Sequence, residues 1–264
     1  MRAKSVISRL AAFLALVVFL LAWQAPSARA CTLWALGGQD VAGGGTLIAK
    51  NRDFTPDHPN ILSVVTPETG YKALSLVSVD PKGAKSLVGG VNEKGLAVVT
   101  ATVGTLRKDE RVARARELGL RNASRAILTR CASVAELEAD GALLGSLSPV
   151  FALVADAGQV AVLESSGGSW RIWKVPPGNP AAHTNHPLST DFPEIRSRED
   201  SQGSVVRLER VRELLSGLPR PVGFEAFTAL SNDSNAGPDF SLMRTGSGEK
   251  KPRTLRSEER RVGK

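Results

Sequence analysis

Between residues 31 and 103 the sequence breaks into short apolar runs, each closed by Gly, Asp, Asn or Pro. Runs this short, punctuated by turn formers, are too brief for stable helices and read as antiparallel strands joined by hairpins. The pattern predicts strands over 31–37, 46–51, 61–66, 71–79, 86–91 and 96–103, with Asn92-Glu93-Lys94-Gly95 as a tight turn between the last two. A charge-dense stretch, 106–121, carries little strand signal and reads as helix or loop. Helices follow over 124–131 and 133–139, the second opened by a capping box of Ser133 and Glu136. Strands resume at 150–155 and 159–165 around the turn Asp156-Ala157-Gly158, with a third over 169–175. Pro-rich 176–195 reads as loop. An amphipathic helix is predicted over 204–218, with Val206, Leu208, Val211, Leu214 and Leu215 mostly on one side, and a short helix over 224–230. No internal repeat is found. Strands, then helices, then strands define a layered α+β single domain.

Charge narrows the function classes. The net charge is +8 and the pI near 9.9, values that suggest a nucleic-acid partner. The basicity, however, sits at the two ends. Residues 1–30 hold Arg2, Lys4, Arg9 and Arg29 with no acid, and residues 249–264 hold seven basic residues against three acidic ones, so the stretch between is neutral. No basic face is left to follow a phosphate backbone, and nucleic acid is not an expected partner. Two cysteines exclude a disulfide framework and a Cys-rich zinc module. His183-x-x-His186 has no carboxylate or Cys completing a metal site, and Gly43-Gly44-Gly45 lacks the residues of a phosphate loop. No metal or cofactor is expected.

Both ends read as separate from the domain. Basic residues, the apolar run 10–23 and the small-x-small triplet Ala28-Arg29-Ala30 form a secretory signal pattern. The apolar run is shorter than the roughly 20 residues of a comfortable membrane span. Export to a secreted or periplasmic location is therefore expected, with signal peptidase cutting after Ala30 and membrane contact only through this segment. A retained anchor and a lipoprotein signal are the alternatives, since a Cys follows the site. At the other end, 256–264 has no apolar periodicity and resembles the translation of a common sequencing-adapter oligonucleotide; a genuine basic tail is the alternative. The expected organisation is a signal at 1–30, a domain over 31–255 that continues beyond this chain, and a non-native tail.

Cleavage after Ala30 would place Cys31 at the mature N-terminus. A thiol is a good nucleophile only as thiolate, and an ordinary Cys titrates near 8.5, so a base must take its proton. A bare α-amine, with a pKa of about 7.7–8.0, can do so. One residue then supplies nucleophile and base without a histidine, which suits a chain whose His58, His183 and His186 all lie in Pro-containing loop sequence. The alternative is a buried structural thiol, or a disulfide to Cys131.

Four sequence blocks sharpen this reading. Cys31-Thr32-Leu33-Trp34-Ala35 followed by Gly44–Phe54, the turn at Val91–Ala97, Thr184-Asn185-His186-Pro187 and the Arg-bearing helix at Ser204–Leu215 together resemble, in order, the N-terminal-nucleophile (Ntn) hydrolases that cleave linear amides. That group includes choloylglycine hydrolase, penicillin V acylase and the acyl-CoA:6-aminopenicillanate acyltransferase-like enzymes (peptidase C45). Segments 230–244 and 252–255 resemble the last of these best. The resemblance implies an αββα sandwich of two stacked antiparallel sheets flanked by helices. It also implies an acyl-thioester on Cys31, and a small linear-amide or small-peptide substrate.

The resemblance assigns roles as well. Asp53 would orient the Cys31 amine or thiol; beside an amine an anion raises its pKa, so the carboxylate orients more than it activates. Lys50, at a position that is Arg in choloylglycine hydrolases, or Arg52 would favour the thiolate. Asn185 would donate its amide N–H to the oxyanion, and Arg207 or Arg210 would anchor the site. The chain departs from the family at the strand after the Gly-Leu turn. Where an Asn often joins the oxyanion hole, this strand reads Val98-Val99-Thr100-Ala101-Thr102, so Thr102 or Thr100, or a backbone N–H, is the expected donor. A second departure is that the acyltransferase-like group usually cuts itself at an internal Cys. A non-catalytic exported or lipid-anchored binding domain on the same scaffold is the alternative function.

Overall fold

The computed structural model describes residues 30–56, 58–195 and 202–263; the predicted signal segment, apart from Ala30, lies outside these. Eleven strands form two antiparallel sheets among the described residues. Seven strands run as a continuous meander: β3 (Asn60–Val65), β4 (Ala73–Val79), β5 (Lys85–Asn92), β6 (Ala97–Ala101), β7 (Val150–Ala155), β8 (Val160–Ser165) and β9 (Trp170–Lys174). The second sheet has the order β10 (Ala181–His183), β1 (Cys31–Gly37), β2 (Thr46–Phe54), β11 (Arg253–Val262).

Side-chain alternation along β1 and β2 explains why both strands are buried throughout, apart from Gly37. Leu33, Ala35 and Ile48 point between the sheets, where they meet Val99, Ala101, Phe151, Leu153 and Val162. Trp34, Leu36, Leu47 and Ala49 point the other way, onto α5 (Gln202–Gly217) and α6 (Phe224–Ala229) through Leu208, Val211, Leu215 and Phe227. On the far side of the seven-stranded sheet, Leu96, Val98, Ala152 and Leu163 pack under α2 (Ala123–Arg130), α3 (Val134–Ala139) and α4 (Gly141–Gly145). Helices, sheet, sheet, helices is the αββα order. Two sheets each covered on both faces need strands that are apolar on both faces, which is why many runs read as continuous rather than alternating.

Local chemistry sets the element boundaries. Asn92 holds the tight turn, its Oδ1 accepting from Lys94 N and Leu96 N at 3.1 and 2.9 Å. Gly95 adopts φ 84°, a conformation that costs other residues energy. Ser133 caps α3 by accepting from Glu136 N, while the Glu136 carboxylate reaches Ala132 N, one residue before the reciprocal partner of a capping box. The charge-dense stretch forms α1 (Lys108–Glu117), and a short α7 (Gly237–Phe240) follows α6.

Three segments differ from the sequence reading. The Pro-rich loop contains β10, which pairs with β1 at Leu33↔His183, Trp34↔Ala182 and Ala35↔Ala181. Only three residues are involved, and the open edge of β1 supplies the pairing. α4 was not expected, because five residues containing two glycines give no helical period. Residues 256–262, expected to stand outside the domain, extend β11 along β2 from Arg253↔Phe54 to Val262↔Thr46, so the boundary at 255 falls inside a strand. Backbone pairing makes that strand; among its side chains only Glu258 and Val262 are buried, and no apolar pattern was there to find.

Candidate active site

Register places the nucleophile candidate. Cys31 opposes Arg52 across the β1–β2 ladder. Cys31 points between the sheets with Leu33, and two-residue alternation puts Lys50 and Arg52 on the same face as Ile48. All three line a cavity of about 390 Å³ that Thr102 also borders. Asp53 and Thr32 fall on the opposite face, toward α5.

Asn185 joins the two faces. Its Oδ1 accepts the backbone N–H of Cys31 at 2.6 Å and an Arg207 N–H at 3.3 Å. Its Nδ2 donates to the Thr102 carbonyl at 2.8 Å. The backbone of Asn185 is fixed from both directions: its N–H donates to Ser204 Oγ at 2.8 Å, and its carbonyl accepts from Gly104 N at 2.8 Å. Arg207 lies on the buried stripe of α5 with Ser204, Leu208, Val211 and Leu215, and its Nε donates to Thr32 Oγ1 at 3.2 Å. Burial lowers the Arg207 pKa to about 10, against the pull of Asp53.

Asp53 is fully buried, and burial raises its pKa to about 6 despite Arg207, Arg244 and a hydrogen bond from Thr254. Thr254 Oγ1 donates to Oδ1 at 2.7 Å. Arg244 stands 3.8 Å from Oδ2, an ion-pair distance beyond hydrogen-bond reach. The link from Asp53 to the N-terminal strand runs through the backbone: its N–H donates to the Ala30 carbonyl at 3.0 Å. No hydrogen bond joins its carboxylate to Cys31 among the described residues.

The basic candidates separate. Lys50 is 2% exposed and donates to the Val88 carbonyl at 3.2 Å. Burial lowers its pKa, partly offset by the attraction of Cys31. Arg52 Nε donates to Asn60 Oδ1 at 2.8 Å and its Nη2 to Ser78 Oγ at 2.5 Å, which ties it to β3 and β4 of the facing sheet. Arg210 lies away from the cluster, paired with Asp233 at 2.7 Å and Glu213 at 2.8 Å. Both threonines border the cavity; the Thr100 hydroxyl donates to the Val88 carbonyl at 2.8 Å, and the Thr102 carbonyl accepts from Asn185. Cys31 and Cys131 are both free thiols, in core layers on opposite sides of the seven-stranded sheet. The structure therefore brings Cys31, Lys50, Arg52, Asp53, Asn185, Arg207 and Thr102 together and leaves Arg210 out.

Thr32, Gly104, Ser204 and Arg244 also belong to this cluster and were not singled out from the sequence. Gly104 carries the clearest local signal, a glycine closing a strand. A Cβ built there would lie 2.9 Å from the Asn185 carbonyl oxygen.

Two sheets between helix layers, with a thiol on the first strand beside a buried Asn, define the Ntn-hydrolase class of amidases and acyltransferases. The chain belongs to the acyl-coenzyme A:6-aminopenicillanic acid acyl-transferase family, which its residues 41–257 match. That stretch includes Asp53, Asn185 and Arg207 and begins ten residues after Cys31. Its fold is similar to that of an N-acylethanolamine-hydrolyzing acid amidase ortholog from Caenorhabditis elegans, with a TM-score of 0.54 at 10% identity over 89% of this chain and 93% of that one. A conjugated bile acid hydrolase from Clostridium perfringens aligns at TM-score 0.40 and 19% identity, over 61% of this chain and 55% of that one. Penicillin V acylase from Agrobacterium tumefaciens aligns at 0.31 and 18%, over 55% and 49%. No curated protein matches the sequence.

Proposed function

We propose that the mature protein cleaves or transfers the acyl group of small linear amides through an acyl-thioester on Cys31. The carrying observation is the 2.6 Å hydrogen bond between Cys31 N and Asn185 Oδ1, made on a strand whose thiol lines the cavity. Once Cys31 is the first residue, its amine stays anchored by Asn185 while a lone pair on nitrogen takes the thiol proton. The thiolate attacks the acyl carbonyl. Asn185 spends one amide hydrogen on Thr102 and directs the other at the oxyanion, a contribution typically worth ~3 kcal/mol. The Thr102 hydroxyl is the second donor, and Lys50 favours the thiolate. The protonated amine then gives its proton to the leaving nitrogen, and water or an acceptor amine releases the acyl group.

We place the enzyme outside the cytoplasm, secreted or periplasmic, with signal peptidase freeing Cys31 during export and no metal or cofactor in the reaction. Ala30 is only 4% exposed and its carbonyl is held by Asp53, so the bond to be cut is inaccessible once the domain has folded. Cleavage then precedes folding, or Cys31 performs it; the mass of protein made without export separates the two. The charged lining is mostly basic, with Lys50, Arg52, Lys85, Lys108 and Arg111 against Asp80. This favours substrates carrying a carboxylate away from the scissile amide.

A panel of N-acyl amides, matched with and without a carboxylate, tests the reading. Cys31→Ala should abolish turnover, and Cys31→Ser should largely do so without unfolding. One extra residue before Cys31 should also inactivate, since an amide nitrogen is no base. Retained activity in Cys31→Ala refutes the mechanism, and diacylglycerol on Cys31 would favour an anchored binding domain.

A further inference from the structure

Two fully buried ionisable residues, Glu164 and His183, face each other between the sheets and take no part in the chemistry above. Glu164 closes β8 on the face of Val160 and Val162, and His183 ends β10 on the face of Ala181. The His183 ring packs on Phe151, 4.6 Å between ring centroids, in the core layer of Val160, Val162 and Ala181. Every polar atom of the pair is engaged. His183 Nδ1 faces the Thr184 carbonyl at 2.9 Å, which only accepts, so Nδ1 carries a hydrogen. Nε2 lies 2.8 Å from Glu164 Oε1, with a proton held between them. The same carboxylate accepts the backbone N–H of Leu188 at 2.5 Å and of Ser189 at 3.1 Å.

One carboxylate thus grips both ends of the segment 183–189, and Asn185 sits inside that grip. We infer that the Glu164–His183 pair is a positioning device that sets the Asn185 amide in its oxyanion-binding place. A buried acid–base pair is a weak choice for stability, because apolar residues of similar size often serve as well or better. Its geometry points to a different role: holding a short, Pro-containing turn in one conformation, to the tolerance that transition-state contacts require.

The inference rests on the role of Asn185 given under the proposed function, and the test separates the two. Turnover of the amide panel by the unaltered mature protein comes first; its absence would refute the amide-cleaving reading before any variant is made. Glu164→Gln keeps the size of the side chain but turns a donor toward a backbone N–H, and His183→Gln breaks the tie from the other side. In each, amide turnover is measured beside alkylation of Cys31 by iodoacetamide, a displacement that forms no oxyanion. Displacing a reacting contact by about 1 Å costs about 100-fold. The expected result is kcat lowered by about that factor in both variants, KM and alkylation rate within about twofold, and binding of an acyl aldehyde weakened in step with kcat. Unchanged kcat in both variants would overturn the inference. So would a parallel fall in turnover and alkylation, which marks a general loss of structure.

Discussion

Lys50→Met separates the electrostatic use of Lys50 from its place in the fold. The ammonium is 2% exposed, and burial lowers its pKa. Its hydrogen bond goes to the Val88 carbonyl at 3.2 Å, which also accepts the Thr100 hydroxyl at 2.8 Å and so is not orphaned by the change. Methionine is unbranched, fills the same length and carries no charge. Glu258, itself buried, lies opposite Lys50 across the β2–β11 ladder and attracts it, and removing one partner of a buried charge pair costs about 3–5 kcal/mol. At 2–4 °C per kcal/mol for a domain of this size, Tm should fall by about 6–20 °C. The thiolate loses its neighbouring cation at the same time, and alkylation of Cys31 by iodoacetamide at pH 7 should slow by about tenfold. Thermal unfolding and the alkylation rate are measured on the same preparation. Unchanged alkylation would refute the reasoning and leave Lys50 a structural partner of Glu258, and an unchanged Tm would refute the pairing.

Asp53, with its pKa raised from 3.8 to about 6 by burial, binds a proton in the folded chain that the unfolded chain has released between those values. Stability should therefore fall as pH rises from about 4 to about 6, and Asp53→Asn should flatten that slope in Tm measured against pH; identical slopes would contradict the assignment. Gly104→Ala brings a Cβ to 2.9 Å from the Asn185 carbonyl oxygen and 3.1 Å from its Cβ, so the loop must move; kcat should drop by about 100-fold while alkylation of Cys31 stays unchanged. Arg210→Ala breaks hydrogen bonds to Asp233 and Glu213 and should leave amide turnover unaltered, a tenfold loss showing that the residue belongs to the site.

Much of the sandwich was legible because hairpins are local. The runs, their turn residues and the Ser133 cap are set by neighbours a few positions apart, and the strand over 31–37 appears with those limits. Cys31, Asp53 and Asn185 stood out because their blocks resemble a family. What was not legible depends on partners far away in sequence. Three residues of β10 become a strand only because β1 offers an edge. Arg207 and Arg210, three apart on one helix, are alike in sequence; only the layer beneath Leu208, Val211 and Leu215 turns one inward and leaves the other on the rim. Asp53 was expected at the Cys31 amine, yet its carboxylate faces Arg244 and Thr254, which arrive from about 200 positions downstream.

The account depends on an acyl group passing through sulfur at the start of the mature chain. Mature protein mixed with an activated acyl substrate, quenched in acid within the first turnover and mapped by peptide mass spectrometry reads this directly. The account predicts a thioester on Cys31, labile to hydroxylamine, on a peptide that begins at Cys31 with an unmodified amine. An acyl group on any other residue, or a peptide in which Ala30 still precedes Cys31 in active enzyme, would contradict it.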